Sequence, residues 1–193
     1  VIRKLYDWTM RLATHRHALR SLAGVSFAES SFFPIPPDVM LIPMVLADRR
    51  RAFLIATVCT AASALGGLFG YLIGHALYEA VAEPLLRAYG YTEAFREFER
   101  AYKEWGVLIV AGGALTPFPY KITTIFSGMV GMSIPAFFIA SVLARGLRFY
   151  AVAALLYWFG EPIRGYIERN LGLLTVIFFV LLVGGFAAVK LLF

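Results

Sequence analysis

Charge is what this chain has least of. Only 16% of its 193 residues are Asp, Glu, Lys or Arg, against roughly 25% in ordinary soluble domains. Meanwhile 60% are hydrophobic and the mean hydropathy is +0.74. That balance excludes an ordinary water-exposed globular domain. Cysteine is nearly absent: Cys59 stands alone, so no intrachain disulfide can form and the redox compartment stays open. The chain has no HExxH, no CxxC and no GxGxxG leading into a helix, which removes the usual zinc, thiol-redox and dinucleotide readings. His15 and His17 form an HxH without supporting ligands, so neither a metal nor another cofactor is expected. Ser30, Ser31, Ser63 and Thr116 have no partner base at a recognisable spacing, so no enzymatic activity is expected. A signal-peptide pattern is also missing, because the first apolar run begins near Ser21 and is broken by prolines.

What the chain has instead is apolar length. Several runs exceed the ~18–20 residues that cross a bilayer as a helix. The composition therefore predicts an all-α polytopic membrane protein. The net charge of +6 is unevenly placed. Residues 1–20 carry Arg3, Lys4, Arg11, Arg16 and Arg20 against Asp7, with Ile2, Leu5, Trp8 and Leu12 at helical spacing. This predicts a basic amphipathic helix on a membrane surface, not a nucleic-acid contact.

The prolines cluster where helices would be expected to continue. Residues 29–38 read ESSFFPIPPD, with Pro34, Pro36 and Pro37 between Glu29 and Asp38, inside an apolar stretch over 21–47. If 21–47 crossed the membrane, the basic N-terminal segment and Arg49-Arg50-Arg51 would lie on opposite sides, against the accumulation of positive charge on the cytoplasmic side. A hairpin that enters from the cytoplasm, turns at the prolines and leaves the same way removes the conflict. The run over 52–82 has no proline and reads as a spanning helix, with Ala62, Gly66, Gly70 and Gly74 four apart as a close-packing stripe. Residues 83–104 carry four basic and five acidic side chains and a 4-3-4-3 aromatic stripe (Tyr91, Phe95, Phe98, Tyr102, Trp105), which predicts an amphipathic helix on the outer surface. The opening pattern then returns. Residues 106–131 are apolar around TPFPYK, with Pro117, Pro119 and Lys121, and predict a second re-entrant hairpin entering from the other side. A spanning helix over 134–160 follows, and a last one over 171–193. Proline-interrupted segments at matching positions of two inverted halves point to a transporter site.

Two arginines stand where lipid should be. Arg145 and Arg148, in SVLARGLRFY, share one helix face near the middle of 134–160. An unpaired arginine at that depth costs at least ~2.5 kcal/mol, so such residues pair or line a wet cavity. The candidate partners are Glu29 and Asp38. Lys121, Arg145 and Arg148 outnumber the two acids by one charge, which suits a phosphate. A closed ion-pair network with a purely structural role is the alternative.

Three stretches, FAESSFFPIPPDVMLIPM, ASALGGLFGYLIGH and TPFPYKITTIFSGMVGMSIPAFFIASVLARGLRF, resemble the DedA family of membrane proteins, also called the SNARE-associated or VTT-domain family, and most closely its YqaA-like branch. The resemblance covers roughly residues 20–160. It implies two re-entrant hairpins, a bacterial inner-membrane location and movement of lipids across the bilayer. For some members the implied cargo is undecaprenyl phosphate; eukaryotic relatives resemble phospholipid scramblases. By position, Glu29 matches the family's acid before its proline turn and Asp38 the acid beyond it. Lys121 takes about the place of the later arginine of the family's R-x-x-P-x-x-R pattern. The earlier arginine has no counterpart, since residues 112–118 read GGALTPF.

Together these readings predict a lipid-phosphate transporter. Lys121, Arg145 and Arg148 would hold the phosphate, Glu29 and Asp38 would be the proton-coupling acids, and Pro34, Pro36, Pro37, Pro117 and Pro119 would make the re-entrant turns. Anionic membrane lipids are the expected partners, with protons and a second copy of the chain left open. An uncoupled phospholipid scramblase and a non-transporting scaffold are the rival expectations.

Overall fold

The computed structural model describes residues 17–33, 36–115, 120–160 and 162. The N-terminal helix expected over residues 1–16, the span expected over 171–193, and Pro34, Pro117 and Pro119 lie outside the described residues. Those described are all-helical apart from short turns. α1 covers Ala18–Ser31 and α2 covers Asp38–Ala47; a 3-10 turn, Arg49–Arg51, leads into α3, Ala52–Leu77. A π-helical turn over Tyr78–Ala82 carries α3 into α4, Glu83–Tyr89. α5 covers Thr92–Leu115, α6 Tyr120–Met129, and α7 Ile134–Gly160. Among the described residues two helical stretches are long and apolar enough to cross a membrane: Arg49–Tyr89, which joins α3 to α4, and α7.

The local chemistry explains the breaks. α1 stops where Phe32 and Phe33 both give their N–H groups to Ala28 O, at 2.8 Å each, just before the proline cluster. Proline cannot donate and forces the preceding residue out of the helical region. α2 starts on the far side, where the carbonyls of Pro36 and Pro37 accept from Val39, Met40 and Leu41. Asp38 lies in the first turn of α2, where the helix dipole favours an acid. At the other end of α2, Asp48 accepts from Arg50 N at 3.2 Å and starts the turn into α3.

Contacts fix the direction of each helix. Along α1 and α3, Ser26 meets Cys59, Ser30 meets Ser63, and Ser31 meets Gly66, so these helices run parallel. Since α2 leads straight back to the start of α3, the 18–47 segment begins and ends at the same end of α3. In the second half, Tyr102 meets Ser127 while Gly113 meets Thr123, so α5 and α6 are antiparallel arms. α7 runs antiparallel to α3, with Phe137 on Tyr71, Gly146 on Thr60 and Tyr150 on Thr57. Two broken helix pairs therefore dock on one long helix from opposite ends.

Glycines on α3 make this docking close. A Cβ at Gly66 would lie 2.2 Å from Phe27 O of α1, and one at Gly74 would lie 1.9 Å from Ile125 O of α6. Gly128 returns the second contact, since its Cβ would lie 1.9 Å from Tyr71 O. The expected stripe thus serves the chain's own broken helices. Ser63 rather than the half-buried Ala62 occupies its first position.

The region from 83 to 115 departs from the expected boundaries. The single surface helix expected over 83–104 is instead two helices, because Gly90, at φ 74°, ends α4 with a left-handed cap. Beyond it, α5 runs unbroken through Gly106 and fuses the amphipathic stretch with the first arm of the second broken pair. Gly106 does not interrupt the helix. It makes room for Met132, whose Sδ would lie 3.1 Å from a Cβ there. The aromatic stripe is divided. Phe95 stacks on Tyr78 and Phe98 meets Phe126, while Tyr91 and Trp105 stay exposed.

Candidate functional site

The charged residues singled out from the sequence come from both halves. Glu29 lies near the end of α1 and Asp38 opens α2. Lys121 is in the first turn of α6, and Arg145 and Arg148 are on α7. The structure joins four of them in two ion pairs across the halves: Arg145 Nη2 to Glu29 Oε2 at 2.6 Å, and Arg148 Nη2 to Asp38 Oδ2 at 2.6 Å. The pairing required by the cost of an arginine in an apolar setting is met.

The first pair is deeply enclosed. Arg145 is the largest fully buried side chain described, at 1% exposure. Its Nε donates to Ser63 Oγ at 2.6 Å. Its guanidinium lies 4.9 Å from the ring centre of Tyr120 and 4.6 Å from that of Phe149, within cation–π range of both. Tyr120 is itself held, its hydroxyl donating to Ser141 Oγ. Ser30 Oγ reaches Glu29 Oε2 at 3.2 Å and Ser63 Oγ at 2.7 Å. The second pair is more open: the Arg148 and Asp38 side chains are 23% and 20% exposed.

Lys121 is the remaining cation. It is half-buried and, among the described residues, forms no ion pair. Thr124 Oγ1 lies 2.9 Å from Lys121 O and 3.0 Å from Ser30 O, so the Lys121 backbone sits beside the end of α1. The end of α1 and the start of α6 are thus brought together. Of the predicted turn residues, Pro36 and Pro37 lie between α1 and α2, with Pro37 buried at the start of α2.

Sequence reasoning missed the hydroxyls. Ser30 and Ser63 were considered only as nucleophiles, whereas they bridge an ion pair. A signal was available: Ser26 and Ser30 on α1 match Cys59 and Ser63 on α3, both pairs four apart, and the two faces meet residue for residue. Tyr120 and Phe149, the rings around Arg145, carried no distinguishing pattern.

A family model for the VTT domain matches residues 35–158, which include Asp38, Lys121, Arg145 and Arg148; Glu29 precedes the match. The chain is 37% identical over 167 residues to an uncharacterized protein of Haemophilus influenzae, covering 86% of each chain. It is 35% identical over 167 residues to an uncharacterized protein of Histophilus somni, covering 86% of this chain and 87% of the relative. No solved structure matches.

Proposed function

Because the chain belongs to the VTT-domain family, the DedA or SNARE-associated family, whose membership indicates a transporter-like role in a membrane, we propose that it moves a lipid phosphate across the bacterial inner membrane. The cargo is undecaprenyl phosphate or a phospholipid. The observation that carries this reading is the charge balance where the two breaks meet. Among the described residues Arg145 pairs with Glu29 and Arg148 with Asp38, while Lys121 forms no ion pair. A phosphate headgroup would complete the set.

Depth supports the reading. Ser63 lies near the middle of α3 and Arg145 near the middle of α7. At 1.5 Å per residue Ser63 sits about 17 Å from the start of α3, roughly half of a ~30 Å hydrocarbon core. If α3 and α7 span, the ion pairs lie close to the midplane, and the two broken pairs are re-entrant hairpins. Non-helical backbone at that depth requires a protein-lined or wet setting. Asp38, released when Arg148 turns to the headgroup, would be the acid that couples transport to a proton gradient.

The orientation follows from charge, with Arg50 and the basic N-terminal segment on the cytoplasmic side. Single cysteines at 16, 50 and 96 in a Cys59→Ser background are expected to react with impermeant maleimide, 16 and 50 from one face and 96 from the other; labelling of 16 and 50 from opposite faces would remove the first hairpin. Transport itself is tested in proteoliposomes that hold a phosphomonoester lipid in the inner leaflet, with phosphatase added outside. Release of phosphate is expected to exceed that of protein-free vesicles at least tenfold, while a fluorescent choline lipid stays put. Equal movement of both lipids would instead make the protein a scramblase, and movement of neither would refute transport.

A further inference from the structure

Glu29 and Asp38 look alike in sequence, each an acid beside a proline break and each facing an arginine of α7. Their settings differ, and the difference assigns them different work. We infer that Arg145–Glu29 is a fixed tie between the two halves, and that Asp38–Arg148 is the exchangeable pair, at which an incoming phosphate takes Asp38's place on Arg148. This rests on the lipid-phosphate reading above and names the side chains that act on the headgroup.

The hydrogen bonds around Glu29 close into a ring. Ser30 has one hydroxyl hydrogen, and it goes to Glu29 Oε2. The bond between Ser30 and Ser63 must then take its hydrogen from Ser63. Ser63 in turn accepts from Arg145 Nε, and Arg145 Nη2 donates to the same Glu29 oxygen. Two branches therefore leave Arg145, one direct and one through Ser63 and Ser30, and both end on Oε2, so both hydroxyl hydrogens are used. Such closed chains reinforce one another in a low-dielectric setting. The flat faces of the guanidinium are covered by Tyr120 and Phe149. Freeing Arg145 would break two charge-assisted bonds, take from the buried Ser63 hydroxyl the donor it accepts from, and uncover both rings. A headgroup cannot reach it without dismantling the contact between α1, α3 and α7.

Arg148 has none of this. Among the described residues it makes one hydrogen bond, to Asp38, and the ring nearest it is Phe149 at 6.0 Å, the edge of useful range. Both partners are about a fifth exposed. A phosphate offers two anionic oxygens to the guanidinium fork where Asp38 gives one contact, and it replaces one anion by another. Asp38, once released, remains in the first turn of α2, where the helix dipole still favours its charge.

The test uses the purified full chain in dodecyl maltoside, with dodecyl phosphate as the probe, inorganic phosphate as a second probe, and melting measured on each preparation. Arg148→Gln is expected to weaken dodecyl phosphate binding at least about tenfold, and Asp38→Asn to tighten it severalfold, with melting close to wild type for both. Arg145→Lys is expected to lower the melting temperature while binding stays within about threefold. Wild-type binding by Arg148→Gln overturns the proposal, as does loss of folded protein in Arg148→Gln or Asp38→Asn. Tenfold weaker binding by Arg145→Lys at unchanged melting does the same. These failures leave the lipid-phosphate reading standing. If the wild type does not bind dodecyl phosphate, both fall. If inorganic phosphate binds equally well with the same variant pattern, exchange at Arg148 stands and the lipid reading falls.

Discussion

Gly74→Ala and Gly128→Ala are each expected to abolish the monodisperse folded protein or to lower its melting temperature by well over 10 °C in detergent. The reason is geometric. The added methyl would lie 1.9 Å from a backbone oxygen in each case, Ile125 O for Gly74 and Tyr71 O for Gly128. Backbone cannot rotate away as a side chain can, so α3 and α6 must separate. Overpacking alone costs about 1–3 kcal/mol and occasionally more. Here the separation also loosens the Tyr71 hydroxyl from Met132 O, now 2.6 Å away, and the seat of Tyr120 against Gly67. Gly24→Ala is the control. No atom lies within 4 Å of its added methyl, so the helical preference of alanine should leave stability unchanged or raise it by up to ~1 kcal/mol. Detergent melting curves of the three variants decide the matter; a Gly74→Ala protein that melts with wild type would show that α6 does not dock as described.

The second large effect is expected at the buried tie. Glu29→Gln removes the anion opposite a guanidinium that is 1% exposed. Breaking one side of such a pair costs about 3–5 kcal/mol, because the remaining charge stays buried. For a chain of this size that corresponds to a fall of roughly 6–20 °C in melting temperature. The double variant Glu29→Gln with Arg145→Gln should recover much of the loss, since neither charge then remains without a counterpart. Asp38→Asn, at the partly exposed pair, should move melting far less. Glu29→Gln melting with wild type, or a double variant no better than the single one, would show that the tie does not hold the halves together.

How far these features were legible in the sequence depends on their range. Proline acts on its own backbone, so the break between Ser31 and Asp38 could be read directly. The demand of a buried arginine for an acid is strong enough to nominate Glu29 and Asp38 as partners for Arg145 and Arg148. It could not say which acid meets which arginine, because that depends on the rotation of α7 against α1 and α2. The hydroxyl ring was hidden for a similar reason. Ser30 and Ser63 become neighbours only through the parallel register of α1 and α3, 33 residues apart in the chain. The fused α5 was missed because a change from polar to apolar composition alters a helix's surroundings without breaking its backbone. The actual break fell at Gly90, whose left-handed φ ends α4. Lys121 stands out in the sequence by its charge, and among the described residues it forms no ion pair.

The central claim, that the cations at the meeting of the two breaks carry a lipid phosphate across the membrane, is tested most directly by the double variant Lys121→Gln with Arg148→Gln in phosphatase-coupled proteoliposomes. Both residues lie outside the buried ring, so the variant should reconstitute and melt close to wild type. Release of phosphate from the inner-leaflet lipid is predicted to fall to the protein-free rate. Release at the wild-type rate from a folded double variant would contradict the account and leave these charges as a structural clamp.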